Sequence, residues 1–110
     1  MGTIEVQRNV RWSCAGWLFR WVLETLAAVV PASETSAKLR EVIDENLGWL
    51  ALDDLPLPER TKLRESIYSD LLARAEGYLP ADYEGREGAL NLVRELVQLA
   101  GRSLDSTEPV

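Results

Sequence analysis

Apolar and polar positions alternate at the start of the chain and then change period. Ile4, Val6 and Val10 alternate with Glu5, Gln7, Asn9 and Arg11, and Arg8 breaks the apolar series. A repeat of two predicts extended backbone. No second strand is read elsewhere, and a lone strand leaves its N–H and C=O groups unpaired. Residues 1–11 are therefore expected as an N-terminal arm. The arm is free or docked, continues into the following helix, or pairs with another chain.

From Trp12 onward the repeat is three and four. Trp12, Ala15, Leu18, Phe19, Val22, Leu23, Leu26, Val29 and Val30 project onto one broad arc. This predicts a first helix beginning between Asn9 and Trp12 and ending before Pro31. Ser13, Arg20 and Glu24 form its polar side, while Trp17 and Trp21 lie on the flank. A second helix is predicted from about residue 34 to 47 or 52, with Leu39, Val42, Ile43, Asn46, Trp49 and Leu50 inward. Ser33 or Ser36 is its expected cap, through the side-chain hydroxyl. Pro58 opens a third helix over 58–76, with Leu63, Ile67, Tyr68, Leu71, Leu72 and Ala75 on one face. Arg64 falls within that face, so its head must reach water or a carboxylate. Gly77 and Pro80 stop this helix, and Tyr78 and Leu79 fold back as its cap contact. A fourth helix covers 86–100, and residues 102–110 are expected as a frayed tail. The pattern predicts an all-α fold for the single domain 1–110: a four-helix bundle with short loops, preceded by a short extended arm.

Charge narrows the partner. Twelve basic residues against eighteen acidic give a net charge of −6, with two lysines in all. Duplex nucleic acid is held by neutralising its phosphates, so direct nucleic-acid binding is disfavoured, as is an anionic membrane surface. The negative charge concentrates in residues 31–58, at −4, and 80–110, at −3. Such a field suits a basic protein partner, although acidity also serves solubility. The long apolar stretch from Trp12 to Val30 contains Arg20 and Glu24, and reads as a buried helix of a soluble protein. One cysteine allows no intramolecular disulfide, and the first residues lack the basic-then-apolar order of a secretory signal. Both point to the cytoplasm.

The residues for chemistry are sparse. There is no histidine, which removes the commonest general base and metal ligand. Cys14 is expected as a small buried hydrophobe within the first helix. Glu41, Asp44 and Glu45 share a helix face, where they either hold a divalent cation or form a solvated acidic face; the solvated face is favoured. Gly85-Arg-Glu-Gly88 is too short to cradle phosphate, and no nucleotide-binding motif occurs. No enzyme, metal or cofactor is expected.

Binding residues are better represented. Trp12, Trp17 and Trp21 fall within ten residues, and Trp and Tyr are enriched at interface cores. Trp12 and Trp49 are assigned to the core. Trp17, Trp21 and Tyr83 are anchor candidates, with Glu41, Asp44, Glu45, Asp53, Asp54, Asp82 and Glu84 supplying the field. The expected function is non-catalytic: an inhibitor that docks on the basic surface of a toxin or nuclease. The alternatives are a homo-oligomer or assembly subunit joined through residues 12–30, and, third, an acidic mimic of nucleic acid. In size, acidity and expected helical architecture the chain is similar to the bacteriocin immunity proteins. That class-level similarity implies a kind of function and no particular site.

Overall fold

The computed structural model describes residues 1–31 and 33–106. Its element order overturns the all-α bundle: the chain is α+β, with a three-stranded sheet against helices. Strand β1 (Gly2–Gln7) turns at Arg8 and Asn9 into β2 (Val10–Cys14), and the two pair antiparallel with Ile4 opposite Trp12. Asn9 takes φ of 66°, a left-handed conformation that asparagine tolerates better than most residues. The expected arm is thus one strand of an internal hairpin.

Helix α1 (Gly16–Val29) starts later than the sequence pattern implies, because Val10, Trp12 and Cys14 alternate inward along β2. Helix α2 (Glu34–Asp44) is capped by the Ser33 hydroxyl, which accepts from the Ser36 N–H at 3.0 Å. The expected continuation of α2 through Trp49 fails at Asn46 (φ 51°) and Gly48 (φ 69°). Two left-handed residues end the helix and release Trp49–Ala51 as β3. This strand pairs parallel with β1, giving the order β2-β1-β3.

A short 3-10 turn (Leu52–Asp54) leads to α3 (Leu57–Ser66), a π-helical segment (Ile67–Leu71) and α4 (Leu72–Tyr78). Buried side chains recur here every four residues: Leu63, Ile67, Leu71, Ala75 and Leu79. On a 3.6-residue helix that interval drifts by about 40° per step. The wider π turn takes up part of the drift and keeps the series on the core. Helix α5 (Arg86–Ser106) extends past the predicted stop at Gly101, so residues 102–106 are helical. Residues 107–110 of the expected tail lie outside the described residues.

The architecture is two-layered. The inner sheet face presents Ile4, Val6, Trp12, Cys14 and Leu50 to α1 and α5, and these join one continuous hydrophobic core. The outer face carries Thr3, Glu5, Arg11, Ser13 and Trp49. Trp12, expected on a helix, is buried from β2 and donates its indole N–H to the Leu92 carbonyl of α5 at 2.8 Å. Trp49, assigned to the core, is 42% exposed with the Arg11 guanidinium 5.4 Å from its ring centre. The architectural part of the likeness to immunity proteins falls with the bundle.

Candidate functional site

Two buried features fix the frame around the candidate residues. The first closes the end of the sheet. Strand β3 pairs with β1 only as far as Glu5, and Arg64 takes over where it stops. Its Nε and Nη2 donate to the Val6 carbonyl at 3.1 and 2.7 Å, and Nη2 also reaches Asp53 Oδ1 at 2.8 Å. Arg60 adds a contact to the same carboxylate oxygen at 3.2 Å. Burial alone would raise the Asp53 pKa. Hydrogen bonds and charge from Arg64, then Arg60, outweigh it and hold the carboxyl below its ordinary value. Asp53 stays exposed, but its charge is engaged by Arg64 and Arg60, which sets it apart from the unpaired carboxylates.

The second feature is Cys14. It lies on β2, not on α1, with its thiol buried as expected. Burial pushes its pKa up to about 11, against smaller opposing influences from the chain's amino terminus and the Phe19 backbone N–H. Such a thiol is a poor nucleophile.

The structure brings together anchor candidates that lie far apart in sequence. Trp17 sits in the first turn of α1, and Tyr83 in the loop between α4 and α5. Their rings meet edge to face, with centres 6.1 Å apart and planes at 84°. Trp21, one turn on, stacks on Tyr78 at 5.1 Å and 23°. Trp17, Tyr78 and Tyr83 are each exposed, although large aromatic side chains gain most by burial. Together with Leu79 and Pro80 they line a shallow groove of about 420 Å³. Tyr83 folds back over Gly85, where a Cβ would stand 2.8 Å from its hydroxyl oxygen. Backbone bonds from Tyr83 N–H to the Pro80 carbonyl and from Arg86 N–H to the Tyr83 carbonyl hold this loop as successive turns.

Asp82 and Glu84 flank Tyr83 and are exposed. On the other side of Trp17 a second concavity, about 350 Å³, is bounded by Val42, Ile43 and Asn46 at the end of α2. Asp44 and Glu45 lie between the last two of these in sequence. Glu41, Asp44, Glu45, Asp54, Asp82 and Glu84 are all exposed, and none has a salt bridge among the described residues. No three His, Cys, Asp or Glu side chains among the described residues gather closely enough to hold a metal ion. Nor, among those residues, is any helix long and apolar enough to cross a membrane.

Sequence reasoning missed Tyr78, Leu79 and Pro80 as parts of the site. The sequence pattern makes Gly77-Tyr-Leu-Pro80 a helix cap; Leu79 does turn into the core, but α4 runs through Gly77 to Tyr78. Tyr78 instead points to Trp21, a contact no local pattern encodes. Compared with protein-family models, curated proteins and solved structures, the chain finds no match in any of the three.

Proposed function

We propose that this chain is a non-catalytic, acidic protein-binding domain whose partner docks on the corner made by Trp17 and Tyr83. The carrying observation is that exposed edge-to-face pair above an apolar groove. Interface energy concentrates in a few aromatic and arginine anchors surrounded by weaker polar contacts. The corner has that form, with the exposed carboxylates Asp82 and Glu84 on either side of Tyr83 in the chain. A net charge of −6 steers a basic partner toward it. In its concrete form the domain is an inhibitor that covers a basic surface of a toxin or nuclease. The chain has no histidine and its one thiol is buried, which favours binding over catalysis.

The test compares immobilised wild type with the Trp17→Ala/Tyr83→Ala double variant. A basic protein retained by the wild type, released by salt and lost by the double variant is the expected result. Light scattering at low and high salt gives the decisive contrast. A stable dimer, indifferent to salt and dispersed by Trp17→Ala, overturns the inhibitor reading and makes the groove a self-association surface.

A further inference from the structure

We infer that the Trp17–Tyr83 corner accepts an arginine side chain presented by the partner. The inference rests on the docking reading above and specifies what enters the groove. The two rings meet edge to face at 84°, each remains exposed, and both line the groove beside Leu79 and Pro80. Aromatic faces carry negative quadrupole density and attract cations. The local charge has the same sign: Asp82 and Glu84 immediately flank Tyr83, are exposed, and have no salt bridge among the described residues.

The nearest cations along the chain are already engaged. Arg86 turns back on its own loop, donating to the Leu79 and Glu76 carbonyls at 3.3 and 3.2 Å. Arg20, one turn along α1 from Trp17, is held by Glu24 at 2.9 Å. The groove is therefore lined by aromatic side chains, and the residues on either side of Tyr83 in the chain carry exposed carboxylates without a salt bridge among the described residues.

Shape separates arginine from lysine. The groove is shallow and open, fitted to a side chain lying on its surface. A planar guanidinium stacks flat on a ring and still directs its edge donors to carboxylates. An ammonium is a hydrated point charge and cannot stack. The same molecule already uses this contact on its sheet, where Arg11 lies over Trp49.

The test uses blocked pentapeptides Gly-Ser-X-Ser-Gly, titrated into isotopically labelled full-length protein and read by NMR. X is arginine, lysine or citrulline, the last having nearly the shape of arginine without its charge. A Pro-Pro peptide serves as a neutral extended control. The arginine peptide is expected to move the Trp17 indole and Tyr83 signals and to bind about tenfold tighter than citrulline. Tyr83→Ala should remove about tenfold of that affinity. Asp82→Asn/Glu84→Gln, both at exposed positions and harmless to folding, should remove about threefold.

Equal binding of arginine and citrulline at the groove, or preference for Pro-Pro, overturns the arginine assignment and leaves the docking surface standing. Shifts confined to other parts of the protein, or none up to about 20 mM peptide, a range that covers single-contact affinities, also overturn it. In that case the immobilised-protein comparison decides the docking reading separately.

Discussion

Arg64 spans the gap between the sheet and the turn after β3: its Nη2 is 2.7 Å from the Val6 carbonyl oxygen and 2.8 Å from Asp53 Oδ1. The side chain is almost fully buried, so its charge depends on those two partners. It does for β1 what a longer β3 would otherwise do, donating to the Val6 carbonyl beyond the end of their pairing.

Removing Arg64 should therefore be costly. Arg64→Ala strands the Val6 carbonyl, leaves Asp53 short of a partner and opens a cavity. A loss of about 3–5 kcal/mol is expected, measured by urea denaturation. Arg60→Ala, a more exposed contact to the same carboxylate, should cost less than about 1 kcal/mol.

Acid should act through the same pair. The Asp53 pKa is lowered in the folded chain, so the unfolded chain binds the proton first as pH falls. The stabilisation is present above the ordinary carboxylate range and is lost as pH drops through the folded value. Thermal melts of Asp53→Asn across pH 2–7 should show a lower plateau near neutrality and a shallower decline in acid than wild type, a range set by carboxylate titration.

Cys14 gives the opposite limb. Its pKa is raised to about 11, so the unfolded chain loses the thiol proton first as pH rises. Stability from this group is whole below about pH 8.5 and is lost as pH rises through the folded value. At pH 8 the native thiol should resist alkylation and react promptly once urea unfolds the chain, as mass spectrometry would show.

Gly2 is closed to any side chain. A Cβ at this position would overlap the Phe19 ring, which packs directly over the strand backbone. Gly2→Ala should cost about 1–3 kcal/mol through overpacking. Phe19→Leu combined with it should cost less than the sum of the two single changes, a non-additivity read from a double-mutant cycle.

The sequence pattern located all of α2, the start of α5 and most of the helical core positions, but it turned Asn46, Trp49 and Tyr68 inward, and these are exposed. It failed where two periods fit the same residues. Trp12 is in phase with Leu18, Phe19 and Val22 for a helix, and equally in phase with Val10 and Cys14 for a strand. Asn9 was the local sign of a turn, since its left-handed φ marks the hairpin. The β3 strand is three residues long and exists through its pairing with β1, a partner more than forty positions away. At the site, the position of Trp17 off the apolar arc made it an anchor candidate without fixing its exposure. Its meeting with Tyr83 depends on how α1 and the α4–α5 loop pack, which periodicity does not encode. Asp53 is exposed as its sequence context implies, and its ion pair with Arg64 was not legible because that arginine comes from a helix further along the chain.

The π segment has a consequence for the groove. It accommodates one more residue than an ordinary turn, and so sets the angular phase of everything that follows it. If all five residues Ile67–Leu71 closed into regular α geometry instead, α4 would be turned by roughly a quarter turn. Tyr78 would then swing away from Trp21, and the loop bearing Tyr83 would leave from another side of the rod. The unwinding at Ile67–Leu71 thus sets the aim of the Trp17–Tyr83 corner.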